Sequence, residues 1–246
     1  MTQPTLPPPP DFDTLLDEGP LALFLDFDGT LVAIAETPDA IEVPDDLVAR
    51  ICALEKRLGG RLAVVSGRAI DDLEGHTGRL PIACAGSHGS DCRAAGGNSV
   101  GEPPADLSAE VRQAIGDFAE ANGFAHEKKT HGAALHYRAD PSLEERGLQF
   151  AESMADEHDV IVKRGKCVIE FVASEASKAS AVRAFMAEAP FRGAKPVFIG
   201  DDVTDEDGMR AACDLGGFGI AVGERESEAA QYGLASPAAV HHWLGL

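Results

Sequence analysis

The 246-residue chain encodes an α/β fold: a parallel sheet with crossover helices, interrupted by a smaller inserted α/β unit. Three observations predict it. Apolar runs at 21–25, 62–65, 82–85 and 197–199 show no polar alternation, and each stops at a Gly, Ser or Asp. That is the pattern of strands buried on both faces. Amphipathic helical stretches alternate with these runs, as parallel strands require. Between residues 104 and 171 the order changes to helix-strand-strand-helix-strand-strand, which makes an open-faced sandwich.

Taken in order, residues 1–19 contain Pro7-Pro8-Pro9-Pro10 and are expected to form a disordered, polyproline-like tail. The first strand begins at Leu21. Pro44-Asp45 opens a helix with Leu47, Val48, Ile51, Leu54 and Leu58 on one face. The strand Leu62–Val65 ends at Ser66-Gly67-Arg68, and the strand Ile82–Ala85 ends at Gly86-Ser87-His88-Gly89. In the insert, a helix carrying Leu107, Val111, Ile115 and Phe118 precedes strands at 124–129 and 133–138. Ser142-x-x-Glu145 reads as a capping box opening a helix through Met154, followed by strands near 160–163 and 167–172. The alternating pattern then resumes with a helix from Lys178, the strand Val197–Ile199, a loop over 200–207, a short helix, and an edge strand near 219–222. The expected domains are therefore a tail (1–19), a core (20–103 with 172–246) and an inserted cap (104–171).

Composition narrows the function. With 21 basic against 41 acidic residues and a net charge of −20, the chain repels nucleic acid and anionic membranes, so neither is an expected partner. The same field repels a phosphorylated metabolite, so a phosphate site needs local Lys, backbone N–H or metal compensation. Five scattered cysteines without a CxxC pair suit free thiols in a reducing compartment. The first twenty residues lack a basic stretch and a long apolar segment, so no signal peptide is expected, and the protein reads as a cytoplasmic monomer.

The chemistry sits at the strand ends. Asp26-Phe27-Asp28-Gly29-Thr30-Leu31 leaves the first strand where open α/β sheets bind ligands, and Gly200-Asp201-Asp202 leaves another. With Thr30, Ser66 and Asp205 these form a hard-oxygen set without His or Cys, suited to Mg²⁺, and Lys178 at a helix start adds a positive charge. One carboxylate can attack phosphorus while the other carries a proton. Taken singly, the pieces have bland readings. Ser66-Gly67 is a turn, Lys178 is a solvated lysine, and Asp201-Asp202 is a helix N-terminus. A phospho-receiver domain also gathers acids and a lysine, but it is much shorter and has no inserted unit.

At these residues the sequence resembles the haloacid-dehalogenase-like (HAD) phosphotransferases, which have a Rossmann-like core. Asp26-Phe-Asp-Gly-Thr-Leu, Val64-Val-Ser66-Gly67-Arg68, Lys178 and Gly200-Asp201-Asp202-Val-Thr-Asp205 match their four motifs. The resemblance implies Asp26 as nucleophile and Asp28 as general acid/base. It implies Mg²⁺ held by Asp26, the Asp28 carbonyl and Asp201, with Asp202 and Asp205 behind them. Ser66, Gly67, Arg68 and Lys178 would then bind the phosphoryl group.

Period-two alternation in the insert puts Glu127 and Lys129, His136 and Arg138, and Glu170 on one uncovered face. Such a face suits many hydroxyls, hence a sugar phosphate. Here the resemblance narrows to bacterial trehalose-6-phosphate phosphatases. It rests on Glu127-Lys-Lys129, Ala134-Leu-His136-Tyr-Arg138, Gly165-Lys166-Cys-Val-Ile-Glu170, Phe185-Met-Ala-Glu-Ala-Pro190-Phe191 and Ser87-His88-Gly89. It implies sugar contacts from Lys129, Arg138 and Glu170, with His88, His136 and Lys166 beside them. Two positions depart from the family pattern: Ala179 stands where Gly is usual, and Phe171-Val-Ala-Ser stands where a basic residue and a proline are common. Other readings are a sucrose- or glycosyl-glycerate-phosphate phosphatase, a phosphohexomutase, and a sugar-phosphate-binding regulatory module.

Overall fold

The computed structural model describes residues 6–35, 37, 40–101, 106–129, 132–158, 160–165, 167–173 and 177–246. In chain order the elements begin with α1 (Phe12–Glu18), β1 (Leu21–Leu25), α2 (Leu47–Arg57), β2 (Leu62–Val65), α3 (Ile70–Thr77), β3 (Ala83–Gly86) and β4 (Asp91–Arg93). Next come α4 (Ala109–Asn122), β5 (Ala125–Lys129), β6 (Gly132–His136), α5 (Glu144–Glu157), β7 (Ile161–Gly165) and β8 (Val168–Val172). The chain finishes with α6 (Lys178–Met186), β9 (Lys195–Gly200), α7 (Asp205–Asp214), β10 (Phe218–Val222), β11 (Ala230–Leu234) and α8 (Pro237–Leu244). These fall into two compact units, Met1–Pro103 with Ala176–Leu246, and Pro104–Glu175. The expected break after 171 would cut β8, whose Val172 still pairs with Gly132 and Ile161.

The first unit is a seven-stranded sheet in the order β11-β10-β9-β1-β2-β3-β4, parallel except for the β3–β4 pair. Its strands carry unbroken apolar runs because both faces are covered. Leu21, Leu23 and Leu25 of β1 pack with α2 and α8 residues such as Leu47, Ile51 and Leu244 on one side. Ala22 and Phe24 pack with Val182, Phe185 and Met209 of α6 and α7 on the other. Each fully buried Leu or Phe contributes roughly 1.5–3 kcal/mol of apolar transfer. The strand order reverses at β1, with β9 on one side and β2 on the other. The crevice outside the carboxyl ends of these three strands is the topological switch point.

The second unit is a four-stranded antiparallel sheet, β5-β6-β8-β7, with α4 and α5 on one face. Leu135, Ile169 and Phe171 point into that covered face, where Phe118 stacks on Phe150 at 3.9 Å. Register places Glu127, Ala134, Glu170 and Lys163 in one row across the opposite face.

Several expectations change. The tail is ordered from Leu6 onward, because it finds partners at the far end of the chain. Asp11 caps α1, Phe12 and Leu15 are buried, and Phe12 packs on Trp243 at 5.0 Å. Pro7 accepts from the Gly233 N–H at 3.0 Å, so this segment covers the edge of β11. Residues 1–5 lie outside the described residues. The strand at 219–222 is not an edge, since β11 lies beyond it.

Strand 133–138 ends at His136, because an Asp140 N–H to Tyr137 carbonyl bond closes a turn that takes Arg138 out of the sheet. Ser142 does not box a helix. Its N–H and hydroxyl both donate to Asp140, which caps a 3₁₀ turn over Pro141–Leu143, and α5 starts at Glu144.

Trp243 is the single tryptophan, so it reports on the docked N-terminal segment. Phe12→Ala is expected to red-shift its emission and to open residues 6–19 to limited proteolysis. Unchanged emission and unchanged cleavage would show that the segment docks without this contact.

Candidate active site

Lys178 opens α6, where Ser177 caps the helix through a reciprocal bond with Ser180. The lysine is not a solvated helix-start residue: it is 3% exposed. Its Nζ donates to Asp26 Oδ1 at 2.7 Å and to Asp205 Oδ1 at 2.5 Å. Asp26 leaves β1 and is itself 4% exposed. Asp205, expected only as outer support, is fully buried at the centre of the cluster. Its Oδ2 accepts from the backbone N–H groups of Asp201 and Asp202 at 3.0 and 2.9 Å. Gly200 is required beside it, since an added Cβ would lie 2.2 Å from Asp205 Cγ.

Burial sets the charge states. It drives the Asp26 carboxyl well above the usual range, despite the pull of Lys178 in the other direction. Burial is also the leading cause of a raised Asp205, against the opposing pull of Lys178. For Lys178 burial favours the neutral form, but Asp26 and Asp205 together hold it above the ordinary lysine value. Asp201 is pushed up to about 6, first by burial and then by Asp205 and Asp202.

Three carboxylates thus face one lysine, which leaves the cluster short of positive charge. Ligand oxygens of Asp26, Asp201 and Asp205 lie within 4.8 Å of one another. Asp201 Oδ1 is buried without a hydrogen-bond partner among the described residues. Asp201 Oδ2 lies so close to Gly29 (φ +78°) that a Cβ there would sit 2.1 Å away. An orphaned oxygen, hard oxygen donors and excess negative charge fit a small divalent cation. Asp205 spends both oxygens on Lys178 and the loop, so Asp26 and Asp201 are the side chains left to hold it.

Asp28 is handled differently. Arg68 Nε and Nη2 bind its two oxygens at 2.7 and 2.9 Å, and Nη1 reaches Asp72 at 2.9 Å. Hydrogen bonding to Asp28 leads the rise of the Arg68 pKa. Arg68, expected at the phosphoryl group, is therefore committed to Asp28.

Ser66 ends β2 buried at 1% exposure, and its Oγ accepts from the Arg68 N–H at 3.1 Å. Among the described residues its hydroxyl hydrogen has no acceptor. Ser87 and His88 both adopt left-handed φ, at 48° and 57°. This unfavourable geometry is held by the Ser87 N–H on the Arg68 carbonyl and the His88 N–H on the Ser66 carbonyl. It sets the His88 ring against Gly67, in a cleft of about 450 Å³ that Asp26, Asp28, Lys178 and Asp201 also line.

In the second unit, Lys129 pairs with Glu170 on the open face, and His136 Nε2 meets Glu127 Oε2 at 2.7 Å. Lys163 lies opposite Glu170 in register, a position the sequence reading passed over. Arg138 is exposed in the turn after β6, and Lys166 lies outside the described residues.

A parallel core with two aspartates two residues apart, a buried serine and a buried lysine gathered at its switch point is the arrangement of the haloacid-dehalogenase-like superfamily. A family model described as trehalose-phosphatase matches residues 24–237. The chain belongs to the trehalose-phosphatase family.

Among curated relatives, a trehalose-6-phosphate phosphatase of Escherichia coli (strain K12) is 35% identical over 229 residues, 91% of this chain and 85% of that one. A probable trehalose-phosphate phosphatase of Sinorhizobium fredii is 38% identical over 206 residues, 82% of this chain and 77% of that one. Among solved structures, a trehalose-6-phosphate phosphatase related protein aligns with a TM-score of 0.66 at 25% identity, covering 92% of this chain and 95% of that one. The C-terminal domain of the Candida albicans trehalose-6-phosphate phosphatase shares the fold, with a TM-score of 0.71 at 24% identity, covering 99% and 98%.

The raised Asp201 pKa has a measurable consequence in metal-free protein. The folded state holds the Asp201 proton up to about pH 6, whereas the ordinary value is 3.8. Stability is therefore expected to fall as pH rises through that interval. The urea midpoint should be higher at pH 5 than at pH 7.5, and Asp201→Asn should shrink the difference. An undiminished difference in the variant would remove Asp201 as its source.

Proposed function

We propose that the protein is a Mg²⁺-dependent phosphatase that hydrolyses trehalose 6-phosphate to trehalose and phosphate. The observation that carries this reading is the buried Lys178 bridging Asp26 and Asp205, beside Asp201 with its orphaned oxygen. Family membership and the two curated relatives supply the substrate.

Bound Mg²⁺, held by Asp26, Asp201 and the Asp28 backbone carbonyl, would neutralise and orient the phosphoryl oxygens. Asp26 attacks phosphorus, and the bond from phosphorus to the sugar 6-oxygen breaks as Asp28 delivers its proton to that oxygen. An aspartyl-phosphate on Asp26 and free trehalose result. Water then attacks the same phosphorus, Asp28 takes its proton, and the Asp26–phosphorus bond breaks to release phosphate. Ser66 donates its hydroxyl hydrogen to a phosphoryl oxygen, and Lys178 offsets the charge that accumulates there. Arg68 holds the Asp28 carboxylate in one orientation. Sugar contacts are assigned to His88 in the first unit. In the second unit they are assigned to Lys129, His136, Arg138, Lys166 and Glu170, polar and charged groups that offer donors and acceptors to vicinal hydroxyls.

No helix among the described residues is long and apolar enough to cross a membrane. The free thiols support a reducing, cytoplasmic setting, and we take the active species to be a monomer.

Phosphate release with Mg²⁺ across a panel of sugar phosphates tests the reading directly. Trehalose 6-phosphate should be the preferred substrate, Asp26→Asn should be inactive, and chelation should abolish turnover. Normal rates in Asp26→Asn would end the covalent mechanism. Arg68→Lys should lower kcat on the sugar phosphate by about 10²-fold or more, the scale of general acid catalysis. It should spare an aryl phosphate, whose leaving group needs no proton. Glu170→Ala should weaken the disaccharide phosphate far more than the aryl phosphate, and equal losses would remove its role in specificity.

A further inference from the structure

Arg225 lies in the charged loop between β10 and β11, away from every motif that carries the chemistry. Its guanidinium nevertheless reaches the acidic loop after β9. Nε donates to the Asp201 carbonyl at 2.9 Å, and Nη2 donates to the Asp202 carbonyl at 3.0 Å. Nη2 also pairs with Glu206 Oε1 at 2.5 Å, while Nη1 donates to the Glu226 carbonyl at 2.8 Å. Glu206 stands in the first turn of α7, with its side chain 6% exposed. Its other oxygen accepts from the N–H groups of Glu228 and Ala229 at 3.2 and 2.9 Å. Burial alone would raise the Glu206 pKa, but Arg225, Ser227 and the Ala229 N–H together lower it. The Glu206 carboxylate therefore sits as a counter-charge 2.5 Å from the guanidinium, and the two charges largely cancel toward the rest of the site.

The consequence falls on Asp201. Its N–H is held by Asp205 Oδ2 and its carbonyl by Arg225 Nε. Both backbone polar groups of this residue are pinned by side chains, one from the start of α7 and one from the loop after β10. The Asp201 carboxylate is thereby aimed at Gly29 even though its buried Oδ1 has no hydrogen-bond partner among the described residues. We propose that Arg225 is a positioning residue that preorganises Asp201 for the divalent cation, acting through the two carbonyls and not through its charge. This rests on the reading of Asp201 as a Mg²⁺ ligand. Two opposing effects set the sign. A nearby positive charge weakens cation binding, whereas a fixed ligand strengthens it. Because Glu206 neutralises Arg225, the fixed ligand wins.

The experiment is calorimetric titration of the full-length, metal-free protein with MgCl₂ in the absence of substrate. Arg225→Met should raise the Kd for Mg²⁺ by about 10–100-fold, the usual scale for residues behind a metal ligand. Arg225→Lys keeps the charge but is a point donor that cannot span two carbonyls and a carboxylate, so it should weaken binding comparably. In turnover assays the half-saturating Mg²⁺ concentration should rise, with kcat at saturating Mg²⁺ unchanged. Wild-type affinity in Arg225→Lys would overturn the proposal by showing that charge alone matters, and this holds even where Arg225→Met does not fold. Unchanged or tighter binding in Arg225→Met would overturn it as well. Failure of the wild-type protein to bind Mg²⁺ would instead reject the metal reading, and this inference with it.

Discussion

The Lys178 ammonium, buried between Asp26 and Asp205, ties the sheet, two helices and the acidic loop into one electrostatic unit. Burying a charge costs several kcal/mol unless it is paired and hydrogen-bonded, so each member of this cluster depends on the others. Asp26 comes from the end of β1, Lys178 from the start of α6 and Asp205 from the start of α7. Asp205 carries the constraint onward through its second oxygen to the backbone of Asp201 and Asp202. The pairing leaves a surplus of negative charge. That surplus makes the site receptive to a divalent cation and, through it, to a phosphate that the net charge of the protein otherwise repels.

The two carboxylates of the first motif have unlike surroundings despite being two residues apart. Asp26 faces a buried ammonium, while Asp28 is gripped by a guanidinium that is also tied to Asp72. Different partners give the same functional group different surroundings. That difference suits the two roles proposed for them, a nucleophile fixed beside positive charge and a proton carrier held in a defined direction. The left-handed pair Ser87-His88 bonds to Arg68 and Ser66, so the second motif is braced by the loop that follows β3.

Much of this was legible in the sequence, because strands buried on both faces announce themselves as apolar runs and their ends carry the acidic and hydroxyl groups that the fold gathers. β1, β2 and β9 were read that way, as were the strand-end acids and Lys178. What escaped depended on distant partners. Phe12 and Leu15 follow a proline run and look like a tail until Trp243 comes to meet them. Ala230–Leu234 has no apolar run of its own and becomes a strand only by pairing with β10. Arg138 continues the alternation of β6 on paper, yet a local turn removes it from the sheet. Arg225 sits in Glu224-Arg-Glu-Ser-Glu228, which reads as a solvated charged loop, and its partners are backbone carbonyls that carry no side-chain signal.

The position of β1 in the sheet also bears on how the chain is assembled. Its neighbour β2 follows within forty residues, but β9 is synthesised only after the whole of the Pro104–Glu175 unit. During synthesis the central strand therefore carries an open, hydrophobic edge while the contiguous inserted unit can already complete its own sheet. Pairings of such long sequence separation form slowly and leave strand edges exposed to other chains. Asp26 lies at the end of that unfinished strand, and its buried lysine partner arrives with the last third of the polypeptide. The acidic cluster and the central sheet thus both wait for the same C-terminal stretch of chain, which carries Lys178, β9 and Asp205.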